Sequence, residues 1–316
     1  MYHCNRIIKK MKNRLIVSLF ILAMLATSCS KTVGYGDIEV HVDYSANGNP
    51  LVTDSLCYVN EAGNRFLVTE IQWFISKITL VSEQGDEYVL GHREVTTLFE
   101  IPQEKVFYID TNLPESQTLI AASLPCQRYV SMHFTFGLDQ DDNVTGFFTD
   151  PPESNMFWPD PLGGGYHYMK LNGKYLDPNG NLAPMNIHLG IGQNEDHTEF
   201  YQNYFTVELP LDLDLEEDAT NVIHLNMNID NWFRNPHTYD ITAFGSAIMQ
   251  NQEAQQILRE NGQDVFTINT NDQPMNKIAK TMKGLMKKAA PKPHFYTKEH
   301  LEEVITEHFT EKEEEQ

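Results

Sequence analysis

An all-β fold is what this 316-residue sequence predicts, and three observations carry it. Ile38-Glu39-Val40-His41-Val42-Asp43-Tyr44 alternates strictly between apolar and polar residues, the period of a strand buried on one face. Runs of similar length recur, separated by turn clusters such as Asn47-Gly48-Asn49-Pro50 and Asp177-Pro178-Asn179-Gly180. Helical character is concentrated near the end. Many short strands with few helical stretches point to an immunoglobulin-like β-sandwich with a C-terminal helix and a charged helical or disordered tail.

The first strand covers residues 38–44. Phe66–Thr69 and Ile71–Val81 follow, then the hairpin signal Gln84-Gly85-Asp86 and a strand over Glu87–Leu90. Val106–Ile109, Tyr129–Gly137, Tyr166–Leu171, Met185–Gly190, Tyr204–Leu209 and Val222–Ile229 complete the set. Ala243–Asn261 reads as helix, stopped by Asn261-Gly262.

The N-terminus addresses the chain. Residues 1–14 carry Arg6, Lys9, Lys10, Lys12 and Arg14 with no acid, and Leu15–Ala26 is an apolar run too short to span a bilayer. Ala26-Thr27-Ser28-Cys29 then resembles a bacterial lipoprotein cleavage site. Residues 1–28 are therefore expected to be a lipoprotein signal peptide, with Cys29 the acylated first residue of the mature chain. The membrane partner is that lipid anchor, and the expected location is the cell envelope, periplasmic or outer-membrane. An ordinary signal peptide with an incidental cysteine is the plainer alternative. Residues 29–36 form a linker, 37–268 the folded domain and 269–316 a charged tail.

Cleavage leaves 18 Lys and Arg against 44 Asp and Glu, so the net charge falls from −21 to −26. Nucleic acid is excluded as a natural partner of such a surface. Cys57 and Cys126 are the cysteines left to an exported domain, and in an oxidising compartment one disulfide is the economical outcome. Two buried thiols are the alternative. Within the tail, Lys277 to Lys298 holds seven Lys and no acid, whereas Glu299 to Gln316 holds eight Glu and one Lys. The two amphipathic segments either pair with each other or stay disordered.

No HExxH, nucleophile elbow, P-loop or dinucleotide fingerprint is present, so the chain is not expected to be an enzyme. The chemistry is concentrated between Asn155 and Gly190, where NMFWPDPLGGGYHYMKLNG is followed by a turn and NIHLG. Trp158, His167 and His188 come close in sequence, with Met156, Tyr166 and Tyr168 around them. Imidazole and thioether donors beside an indole suit a soft-metal or redox site, though each residue also serves as core filler. His41, on the polar face of the first strand, is a further candidate ligand. His133 and His224 are strand histidines with no partner visible in the sequence. A different class of function remains open: Trp158, Tyr166 and Tyr168 as an aromatic platform of a surface or glycan-handling lipoprotein that uses no metal.

The order of CYVNEAGNRFLVTEIQWFISKITL, YVSMHFTFGLD, NMFWPDPLGGGYHYMKLNG, NIHLG and IMQNQEAQQILRENGQDVF resembles the MbnP-like family, the metallo-mystery pair or methanobactin-associated copper-binding proteins. The resemblance covers residues 37–268. It implies an exported β-sandwich associated with copper and a di-haem cytochrome peroxidase-like partner that oxidises tryptophan, in some members to kynurenine. On matching positions it makes Trp158 the candidate for modification and His188 a candidate copper ligand. Two positions depart from the pattern: Asp160 stands where many members carry a second Trp, and Ile191-Gly192-Gln193-Asn194 stands where some carry a Cys. Combined with the strand reading, the expectation is one copper ion held by His188 and His41 near Trp158, with His167 or a Met as the next choice.

Overall fold

Two β-sheets face each other across an apolar core. The computed structural model describes residues 33–91, 105–194, 196, 198–217 and 220–269. The expected signal peptide, Cys29 and the tail beyond Asn269 lie outside the described residues. One sheet is five-stranded: β1 (Tyr35–Ala46), β2 (Asn49–Pro50), β7 (Thr118–Pro125), β14 (Thr220–Asn228) and β15 (Phe266–Asn269). The second is eight-stranded: β3 (Tyr58–Val59), β4 (Arg65–Ser82), β5 (Glu87–Val89), β6 (Val106–Asp110), β8 (Arg128–Phe136), β9 (Met169–Leu176), β10 (Leu182–Leu189) and β13 (Phe205–Asp214). A small ribbon joins β11 (Gly192–Gln193) to β12 (Phe200–Tyr201).

The expected alternation of residues 38–44 is observed. Ile38, Val40 and Val42 are buried, while Glu39, His41 and Asp43 line the other face of β1. The immunoglobulin layout is not reproduced. Sheets of five and eight strands exceed the roughly seven to nine of such a domain, and β1 runs parallel to β14. The two strands expected between Phe66 and Val81 are one strand of 18 residues. It absorbs register shifts between Val68 and Glu70 and between Ser76 and Thr79, with Lys77 at φ 52°. The helix expected over 243–261 is two pieces, Ile241–Phe244 and Gln252–Asn261, the second N-capped by Asn251 accepting from the Ala254 amide.

β4 is buried on both sides, which a strand tolerates only if both faces of its sheet are covered. Inward, Trp73 stacks on Phe136 and leans on Phe266 of the opposite sheet, with ring centroids 5.6 and 5.5 Å apart. The Trp73 indole donates to the Tyr44 hydroxyl on β1 at 2.9 Å, a polar link between the two sheets. Outward, Phe74 stacks on Phe148 at 5.2 Å, and Phe148 meets Tyr166 at 5.0 Å. The chain from residue 138 to 168 thus forms a lid on the second sheet with an aromatic core of its own.

Cys57 and Cys126 are not joined, contrary to the expected disulfide. Cys126 donates its amide to Gly34, at the start of β1. Cys57 follows the loop that leaves the other end of β1, where Ser45 pairs with Pro50. At about 3.3 Å per residue those ends are roughly 36 Å apart, far beyond the ~7 Å limit for bridged Cα atoms.

Burial holds the Tyr44 phenol well above its usual pKa, so its hydroxyl stays neutral and available to the indole. Tyr44→Phe leaves the Trp73 N–H without that acceptor and is expected to lower unfolding free energy by about 1–3 kcal/mol in denaturant titration. An unchanged midpoint would show that the link contributes nothing.

Candidate metal centre

The lid is pinned on itself by a short antiparallel bridge, Phe157 to Tyr166, just before the chain enters β9. The Trp158 amide donates to Gly165 at 2.8 Å and the His167 amide to Met156 at 2.6 Å, which sets Trp158 and His167 side by side. Their rings meet edge to face, with centroids 4.7 Å apart. Tyr168 then donates to Leu189 at 2.7 Å and brings His188 alongside, its ring 5.1 Å from that of His167. Ile187 and Leu189 point into the core, so His188 faces outward under the lid.

Each imidazole has one nitrogen held. The Met156 carbonyl can only accept, so His167 donates to it from Nδ1 at 2.9 Å, which leaves the Nε2 lone pair for other use. For His188 the chain of orientation is longer. Glu70 accepts from Asn172 Nδ2 at 3.1 Å and from Asn112 at 3.0 Å, which turns the Asn172 oxygen toward His188. His188 donates to it from Nε2 at 2.9 Å, and its Nδ1 lone pair is left over. A carboxylate–amide–imidazole relay of this kind is how a ligand's tautomer and orientation are set.

The electrostatics agree with neutral rings. Burial pushes the His167 pKa down to about 3, against the opposing hydrogen bond to Met156 and with smaller lowering contributions from Lys170 and His188. Burial, then the Lys170 charge, brings His188 to about 4. Lys170, opposite His188 in the β9–β10 register, is itself depressed by burial and donates to the Asn155 carbonyl at 2.7 Å.

Trp158 is fully buried and donates to Leu162 at 3.0 Å. Its ring lies against Gly190, where a Cβ would come within 2.5 Å of the indole carbons. Gly190 is held in turn by Gln255, which accepts from its amide at 3.1 Å, and by Asn203, which donates to its carbonyl at 2.9 Å. The His188-Leu189-Gly190 triplet thus presents an imidazole, fills the core and leaves room for the indole. Gln255 lies in the motif-bearing helix, whereas Asn203, just before β13, had no visible signal in the sequence.

His41 is not brought to this place. It stands on the outer face of the five-stranded sheet, bonded to Glu39 at 2.9 Å and edge to face with His224 at 5.3 Å. His188 lies on the outer face of the other sheet, and stacked sheets alone are about 10 Å apart. Met156 serves His167 through its carbonyl, and Met169 faces the inner core beside Trp73. Tyr166 and Tyr168 are buried like Trp158, so the three cannot form an exposed aromatic platform. Among the described residues no group of three or more His, Cys, Asp or Glu is arranged to hold a metal ion.

A family model described as MbnP matches residues 35–252, more than half of the sequence. The chain belongs to the MbnP family. Among solved structures, MbnP from Methylosinus trichosporium matches at 15% identity, covering 66% of this chain and 80% of that one, with a TM-score of 0.44. No curated protein sequence matches.

Two outcomes are expected for this member of the MbnP family. Gly190→Ala forces the Trp158 ring aside and should cost about 1–3 kcal/mol of stability with a shift in tryptophan emission; wild-type emission and stability would contradict the packing. In the metal-free protein the folded state refuses protons that the unfolded histidines accept at about 6.5. Stability is therefore little affected above pH 6.5 and falls as pH drops from there toward about 4 for His188 and about 3 for His167. Unfolding at pH 7 and 5 should differ by ~2–4 kcal/mol, and by less in a His167→Gln/His188→Gln variant.

Proposed function

We propose that this MbnP-family protein is an exported, lipid-anchored copper-binding protein, not an enzyme, that holds copper(I) between His167 and His188 beside Trp158. One observation carries the reading: two neutral imidazoles, each with one nitrogen fixed, lie 5.1 Å apart against a buried indole. Imidazoles on one ion with bonds of about 2.1 Å at tetrahedral angles have ring centres ~5 Å apart, so the ring separation is compatible with a shared ion. Imidazole is also among the ligand types that suit copper. The resemblance to copper-associated members adds the choice of metal.

In this reading His167 and His188 bind, the Glu70–Asn172 relay keeps the His188 tautomer, and the lid excludes water. Held there, copper would supply redox chemistry at a site whose His167 ring packs edge to face against Trp158. A di-haem cytochrome peroxidase-type partner, acylation at Cys29 and oxidation of Trp158 belong to the same proposal and rest on the sequence resemblance. Asp160, found where many members carry a second Trp, leaves Trp158 as the one indole at the site.

Competition against a copper(I) chelator tests it. His167→Ala or His188→Ala should weaken binding at least tenfold, ~1.4 kcal/mol, and His41→Ala should leave it unchanged. Wild-type affinity in both of the first two variants would end this assignment.

A further inference from the structure

The outer face of the five-stranded sheet carries a second pair of histidines. Parallel pairing of β1 with β14 sets His41 directly opposite His224, and their rings meet at 5.3 Å with planes 80° apart. Each ring has its own carboxylate. Glu39 accepts from His41 Nε2 at 2.9 Å, and Asp43 accepts from His224 Nδ1 at 2.8 Å. An ionised carboxylate only accepts, so His41 keeps the Nδ1 lone pair and His224 keeps Nε2. These are opposite tautomers, imposed by acids two residues either side along the same face of β1.

From this geometry we infer a second, solvent-accessible metal site, in which His41 Nδ1 and His224 Nε2 bind a borderline divalent cation such as zinc. Three features support it. The ring separation matches the ~5 Å expected for two imidazoles on one tetrahedral ion with bonds of about 2.1 Å. Both rings have a carboxylate partner that fixes ring orientation. The His41 side chain is 34% exposed and that of His224 11%, so an ion can enter and keep water ligands. No third His, Cys, Asp or Glu joins the pair among the described residues, so the remaining positions fall to water, and the affinity belongs to an exchangeable site.

Purpose distinguishes the two pairs. His167 and His188 lie beneath a lid, next to an indole, in a setting for a soft ion kept from water. His41 is part-exposed and His224 nearly buried, each beside a carboxylate, a setting that suits a divalent ion entering from the His41 side. The inference does not depend on copper binding at the first pair.

Zinc titration of the full-length chain, followed by calorimetry, tests it. Wild type should bind one more equivalent of zinc than His41→Gln or His224→Gln. Glu39→Gln and Asp43→Asn should retain that equivalent with affinity lowered about 10–100-fold, an effect a merely structural pair would not produce. His188→Gln should leave the zinc equivalent intact, which separates failure here from failure of the copper reading. Each variant is checked for wild-type far-UV circular dichroism. Zinc stoichiometry unchanged in correctly folded His41→Gln and His224→Gln proteins would overturn the inference.

Discussion

The whole arrangement depends on β4 being buried on both faces. A strand that carries Trp73 on one side and Phe74 on the other cannot sit at the surface of a two-layer sandwich. Its inner side requires the five-stranded sheet, and its outer side requires the lid between residues 138 and 168. The shift between Ser76 and Thr79, with Lys77 in the left-handed region, lets Ile78 and Leu80 stay buried as the strand continues. Without the third layer, His167, Trp158 and His188 would have neither cover nor a common place.

That third layer is held by polar bonds chosen for position as much as by aromatic area. Asn143 accepts from the Tyr166 amide at 2.8 Å and donates to the Tyr168 hydroxyl at 3.3 Å. Ser76 donates to the Gly137 carbonyl at 2.8 Å, tying the lid's first residues to β4. Gly137 adopts φ 85° with the Tyr168 ring where its Cβ would be, so no larger residue fits there. Lys77 closes the same corner through ion pairs with Asp139 and Asp142. The result is a rigid mounting in which each histidine has one nitrogen committed and one in reserve.

The two histidine pairs use one device, an acceptor that fixes the tautomer, in different surroundings. At His167 and His188 the acceptors are a carbonyl and an amide, and burial keeps the rings neutral. At His41 and His224 the acceptors are carboxylates on a part-exposed face, where the negative charge also attracts a cation. Ring spacing is nearly equal, 5.1 and 5.3 Å, so solvent access and charge, more than geometry, separate what each would hold.

Alternation along residues 38–44, the turn clusters and the Asn261-Gly262 stop were enough to read the β class, most strand positions and the helix end, because these follow from local periodicity and backbone preference. The Trp158, His167 and His188 neighbourhood was legible for the same reason: its pieces lie close in sequence and carry recognisable spacing. Partner choice across the chain was not legible. His41 has the same polar-face signal whether it meets His188 or His224, and only the parallel register of β1 with β14, 183 residues apart at that pair, decides for His224. Likewise Cys57 and Cys126, in a chain whose N-terminus reads as an export signal, look ready to bond until the length of β1 holds them at opposite ends. Sequence by itself determined which residues can do chemistry and on which face of a strand they stand; tertiary structure decided which of them meet, because sheet order and layer are set by burial summed over the whole chain.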